Sequence, residues 1–221
     1  MPDTVADRIA EVRERIAAAC ARANRSPSGV TLIAVTKGHR PEAVRLAIAA
    51  GITDIGENRL QEAEAKREAL GATPGVTWHM IGHLQSNKVK AAIDLFDTIH
   101  SVDSIHLAEE ISRRAPVPVP AFLEVNVAGE RTKSGFAPAD LAAAHETIAA
   151  MPNIELRGLM TVAPIAGSPE TVRPIFRRLA SEASALNLTQ LSMGMTEDFE
   201  VAIEEGATHI RLGRAIFGDR E

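Results

Sequence analysis

The chain has 221 residues, 45% of them hydrophobic and 24% charged, the makeup of a single soluble domain with a real core. A net charge of −5 sets it apart from general nucleic-acid binders, and no apolar stretch approaches the length of a membrane span. Its one cysteine, Cys20, excludes an intrachain disulfide and any cysteine-clustered metal site. Met1-Pro2-Asp3-Thr4 lacks the basic start and apolar core of a secretory signal, so a cytoplasmic location is expected.

Residues 3–23 form an amphipathic helical pattern, with Val5, Ile9, Val12, Ile16, Cys20 and Ala23 on one face. Cys20 lies on that stripe, which makes it a structural thiol. Ser26-Pro27-Ser28-Gly29 breaks the helix. The run Val30-Thr31-Leu32-Ile33-Ala34-Val35-Thr36-Lys37 then has the β-branched density of a strand buried on both faces. Lys37 at its end has two readings. It marks the strand end and snorkels to water, or it sits half-desolvated at the mouth of a sheet, where the neutral amine is favoured as a nucleophile.

Further strands are expected at 54–58, 77–82, 98–102, 121–126, 154–161, 190–194 and 209–213. Helical stretches lie between them, among them 41–50, 59–70, 104–114, 138–150, 169–186 and 198–205, several opening on proline. No Asn-Gly or Asp-Gly turn joins the strands, so parallel pairing through crossover helices is favoured. The alternation predicts an α/β fold: one (β/α)₈ TIM-type barrel over residues 1–221, with the N-terminal helix covering the face that a full last helix would protect. An open doubly wound sheet is the competing architecture.

Active faces of such barrels form at the carboxyl ends of the strands. Those ends read Lys37, Glu57-Asn58, His79 and Gly82, Ser101 and Asp103, Asn126, Met160-Thr161, Ser192-Met193-Gly194, and Arg211 with Gly213-Arg214. Taken together they form a polar ring around one lysine. The segments at Ser192-Met193-Gly194 and Arg211-Leu212-Gly213-Arg214 place small residues before helical turns after the last two strands, where barrels commonly bind phosphate. His39, His79, His83, His100 and His106 lack ligand-type spacing and read as core or surface residues. Gln85-Ser86-Asn87-Lys88 caps a following helix, and Glu130-Arg131-Thr132-Lys133-Ser134-Gly135 reads as a solvated turn in preference to a lid. No nucleophile elbow supports Ser-His-Asp chemistry. A lysine facing a phosphate cradle fits a Schiff base with a phosphorylated sugar or keto acid, or attachment of pyridoxal 5′-phosphate. Arg211, placed to face a pyridine nitrogen, favours the latter.

Ala34-Val35-Thr36-Lys37, Ile55-Gly56-Glu57-Asn58, His79-Met80-Ile81-Gly82, Leu84-Gln85-Ser86-Asn87-Lys88, His100-Ser101-Val102-Asp103, Lys133-Ser134-Gly135, Gly158-Leu159-Met160, Leu191-Ser192-Met193-Gly194-Met195 and Arg211-Leu212-Gly213 with Ala215-Ile216-Phe217-Gly218 resemble the pyridoxal phosphate homeostasis protein family. These are single-domain, fold-type III relatives of the alanine racemase N-terminal barrel. The resemblance implies that Lys37 carries the cofactor as an aldimine and that Asn58 lies near its ring oxygen. It implies that Ser192, Met193, Gly194 and Gly213 hold the phosphate and that Arg211 pairs with the pyridine nitrogen, making the ring a weak electron sink. Arg214 stands where the family usually has a small hydroxyl residue, so either its guanidinium or the backbone amides serve the phosphate there. His83 and Arg59 replace a common proline and a common tyrosine.

The racemase relatives need a second acid/base, typically a tyrosine from an added domain, and this chain has no tyrosine. The expectation is therefore a protein that takes up, holds and hands over pyridoxal phosphate to apoenzymes. Its effects on amino-acid and keto-acid balance would be indirect, and its state monomeric. Alternatives are a racemase- or lyase-type enzyme using His79 or Lys133 as base, and a lysine aldolase acting on a phosphorylated substrate.

Overall fold

The computed structural model describes residues 4–130 and 132–218. Residue 3 of the expected first helix, Arg131 of the 130–135 turn and the tail 219–221 lie outside them. Eight parallel strands close into a barrel in sequence order: β1 (Thr31–Val35), β2 (Asp54–Glu57), β3 (Thr77–Met80), β4 (Thr98–Val102), β5 (Val119–Glu124), β6 (Ile154–Met160), β7 (Gln190–Ser192) and β8 (His209–Leu212). β8 returns to pair with β1, Ile33 beside Arg211, so the sheet is closed and not an open doubly wound one.

Helices α1 (Val5–Arg22), α2 (Pro41–Ala49), α3 (Leu60–Leu70), α4 (Val89–Leu95), α5 (Ile105–Arg114), α6 (Leu141–Ala149), α7 (Arg173–Ala185), α8 (Phe199–Glu204) and α9 (Arg214–Phe217) surround the strands. α9 is a single turn, too short to cover β8. The stripe Ile9, Val12, Ile16, Ala19 and Cys20 of α1 is buried, and α1 packs against α2, α8 and α9, filling that gap in the outer ring. A capping box between Thr4 and Asp7 starts it. Two expected helices begin later than the pattern suggests, because Pro138 and Pro169 open 3₁₀ turns before α6 and α7. The short α4 follows a 3₁₀ turn over Ser86–Lys88, the place expected to cap a helix.

The register sorts strand residues onto two faces. Ile55, Trp78, Ile99, Leu123, Leu159, Ile210 and Leu212 join the apolar layer between sheet and helices. The alternate set faces the barrel interior: Ile33 beside Asp54, Gly56 beside His79, Phe122 beside Gly158, Met160 beside Ser192, and Ser192 beside His209. Branched aliphatics commonly fill the interior of such barrels. Here its middle carries His79, His100, Ser192, His209 and Arg211.

Candidate functional site

A cleft of about 570 Å³ opens at the carboxyl ends of the strands. Lys37, two residues past β1, lines it with Asn58 after β2, Arg211 of β8, and Gly213 and Arg214 beyond it. Five of the eight residues singled out in the sequence thus meet around one space.

The backbone beneath Lys37 is fixed. Thr36 is fully buried, and its carbonyl accepts a hydrogen bond from Lys66 Nζ at 2.6 Å. Lys66 also donates to Glu57 Oε1 at 2.5 Å, and Thr36 Oγ1 donates to the same oxygen. Burial pushes the Glu57 carboxyl up, while the bonds from Lys66 and Thr36 pull against it. Asn58 follows Glu57 directly, and its Oδ1 is buried with no hydrogen-bond partner. An orphaned amide oxygen at a cleft is a place for a ligand donor, and the amide turned over offers its nitrogen instead. Gly82 packs so closely on the Asn58 backbone that a Cβ there would collide with it.

Arg211 is 5% exposed. One guanidinium nitrogen donates to Ser192 Oγ at 2.7 Å and another to the Thr161 carbonyl at 2.9 Å. Burial lowers its pKa to about 10, with the negative field of Glu124 and Asp198 opposing, so it stays charged at neutral pH. Ser192 and Met193 are fully buried and do not line the cleft. The Ser192 hydroxyl is occupied by Arg211 and by His100 Nδ1 at 2.8 Å. Gly194 has φ +95° and lies under α8, where a Cβ would come within 2.6 Å of the Ala202 methyl. The N–H groups of Gly213 and Arg214 take no acceptor among the described residues. The Arg214 guanidinium is exposed at the rim and pairs with Glu197 at 3.0 Å.

The β6–α7 loop, residues 162–169, supplies one wall, with Ile165 fully exposed. No residue type in that stretch signals a site, and sequence reasoning passed over it. Met195, Thr196 and Asp198, in the turn after the neighbouring strand β7, also line the cleft, and Asp198 Oδ1 accepts from the Met195 N–H at 2.6 Å and locks that turn. Neither base considered for an enzyme lines the cleft. His79 lies in the barrel interior, bonded to Asp54 and His100. Lys133 pairs with Glu130 and reaches the Val162 carbonyl at 3.3 Å. Among the described residues no cluster of His, Cys, Asp or Glu is placed to hold a metal, and no helix is long and apolar enough to cross a membrane.

The family model of the alanine racemase N-terminal domain matches residues 8–221. A pyridoxal phosphate homeostasis protein of Pseudomonas aeruginosa is 44% identical over 99% of this chain and 96% of its own length. The chain belongs to the pyridoxal phosphate homeostasis protein family. A member from Aquifex aeolicus is 43% identical over 97% of this chain and 98% of its own. Among solved structures, PipY of Synechococcus elongatus with pyridoxal phosphate bound has a TM-score of 0.85 and 38% identity, covering 97% of this chain and 100% of that one. Alanine racemase of Corynebacterium glutamicum, 19% identical with a TM-score of 0.74 over 97% of this chain and 61% of its own, shares the barrel fold.

Proposed function

We propose that the chain binds pyridoxal 5′-phosphate in this cleft, holds it covalently on Lys37, and serves the supply and homeostasis of that cofactor within the cell. The observation that carries this reading is the convergence of Lys37, Asn58 and buried Arg211 on one cleft in a member of this family. The residues suit the group. Lys37 would offer a primary amine to the aldehyde, the Asn58 amide a partner to the ring oxygen, and Arg211 a guanidinium to the pyridine nitrogen. The N–H groups of Gly213 and Arg214, with the Met193-Gly194 turn behind them, suit a phosphate. Ser192 contributes through Arg211, to which its hydroxyl is already bonded. Arg214 extends over the rim beside Glu197, so the backbone amides serve the phosphate first.

Bound pyridoxal phosphate supplies an electron sink, and a charged arginine at its ring nitrogen keeps that sink weak. The chain's own residues favour holding over turnover. Neither His79 nor Lys133 lines the cleft, and the chain has no tyrosine. Of the titratable groups that do line it, His39 follows Lys37 by two residues in the β1–α2 loop, Glu197 pairs with Arg214, and Asp198 accepts from the Met195 N–H. A panel of amino acids offered to the loaded protein is expected to give no sustained, substrate-specific turnover, while an apoenzyme added to it regains activity. Multiple turnovers on one amino acid would replace the carrier reading with an enzyme.

A further inference from the structure

The polar barrel interior forms a single chain of hydrogen bonds across five strands. Asp54 opens β2 at the amino-terminal end of the sheet, its side chain 20% exposed. His79 Nε2 meets Asp54 Oδ1 at 2.9 Å, and His79 Nδ1 meets His100 Nε2 at 2.9 Å. His100 Nδ1 meets Ser192 Oγ at 2.8 Å, and Ser192 Oγ accepts from Arg211 at 2.7 Å. The chain thus runs from the solvent-touched floor of the barrel to the guanidinium at the cleft.

Its direction follows from counting donors. Burial works against ionisation of Asp54, but hydrogen bonds from His79 and Thr53 outweigh it and hold the carboxyl below its usual range. The carboxylate only accepts, so His79 Nε2 carries a hydrogen. With His79 Nδ1 as acceptor, His100 donates from Nε2 and accepts at Nδ1, and Ser192 donates to His100. The Ser192 lone pair is then free for Arg211. Reversal would make His100 a donor to Ser192, and the hydroxyl hydrogen would lose its acceptor among the described residues. Burial keeps His100 neutral, its pKa well below the usual histidine value. His209 leans towards this layer but bonds to Thr208 Oγ1, while Glu124 and Asp198 face Arg211 from β5 and the turn before α8.

We infer that Asp54, His79, His100 and Ser192 are a one-way hydrogen-bond relay that positions the Arg211 guanidinium for the cofactor ring, an inference that rests on the pyridoxal phosphate reading above. None of the first three lines the cleft, so they are positioning residues. His100 stacks on Phe122 with ring centroids 4.3 Å apart, so His100→Phe retains shape and removes the acceptor for Ser192, whereas His100→Asn can present an oxygen near the Nδ1 position.

Titration of each variant with pyridoxal phosphate, followed by absorbance, is expected to show about tenfold or weaker binding for His100→Phe and a loss within about threefold for His100→Asn. Equal binding by wild type and His100→Phe overturns the relay, as does equal loss in both variants, which marks a merely structural role. ¹⁵N NMR of the ligand-free wild-type protein gives a second reading independent of the cofactor. The relay requires His100 to carry its hydrogen on Nε2; a hydrogen on Nδ1 overturns it. A wild-type protein that takes up no pyridoxal phosphate overturns the binding reading instead, and the His100 tautomer then judges the relay alone.

Discussion

Lys66 ends a buried ion pair whose other member, Glu57, is shut off from solvent entirely. Its ammonium serves both the Glu57 carboxylate and the Thr36 carbonyl, and so fixes the backbone that launches Lys37 into the cleft. Removing one partner of such a pair leaves an uncompensated charge, whereas replacing both with apolar groups is often nearly neutral. Lys66→Met should therefore cost about 3–5 kcal/mol, measured from the urea midpoint, and Lys66→Met with Glu57→Leu should recover most of that. An unchanged midpoint in the single variant would show that the pair contributes nothing. None of this was legible in the sequence. Lys66 stands among Glu62, Glu64, Arg67 and Glu68, where a lysine reads as part of a solvated helix face. Lys37 could be read because it ends an apolar strand, where a charge is conspicuous. His79 and His100 read as core or surface residues, and the structure buries both. Strand periodicity does not reveal a bond between side chains on neighbouring strands.

The sequence pattern located the strands and most helices because parallel barrels repeat one unit, an apolar run and then an amphipathic one. What it missed at the boundaries follows from proline, which opened 3₁₀ turns where a helix start was expected. At the outer ring α1 stands in for a missing closing helix, and arginines hold it there. Arg15 and Arg22 pair with Glu200, and Arg22 and Arg173 with Glu204. For Glu204 the bond from Arg173, then that from Arg22, keeps the carboxyl below its usual range against burial. For Glu200, burial raises it, and the bonds from Arg15 and Arg22 lower it further. Folded values below the unfolded one mean that this stability is present above about pH 4.3 and is lost as pH falls through the lowered values. These pairs are largely solvent-screened, so each is worth about 0.2–1 kcal/mol. Thermal melts should show Tm falling below about pH 4.3, with a shallower fall in Arg22→Ala. A slope unaltered by that substitution would mean that the Arg22 pairs with Glu200 and Glu204 contribute nothing to the acid transition. The turn after β3 crosses the end of β2 where Gly82 meets Asn58. Gly82→Ala would push on the Asn58 backbone, so pyridoxal phosphate should bind about tenfold more weakly with circular dichroism unchanged. Wild-type affinity would mean that Asn58 does not contact the cofactor.

At the scale of the molecule, the barrel divides its labour between two layers. The helix-facing side of the strands carries the apolar core, and the interior carries the polar groups that support the cleft. Lys37, Asn58, Arg211, Gly213 and Arg214 were legible as residues gathered around one cleft because they fall at the ends of the neighbouring strands β8, β1 and β2. Ser192 and Met193 fall at a strand end too, but the short β7 leaves them under the cleft floor. The wall at 162–169 depends on how a loop folds back, and no spacing rule specifies that. We propose that this architecture holds a cofactor on one lysine. Incubation with pyridoxal phosphate, borohydride reduction and peptide mass mapping test it directly. A single adduct on the peptide containing Lys37, absent from Lys37→Ala, is the expected result. A protein that stays colourless, or an adduct on a different lysine, would contradict it.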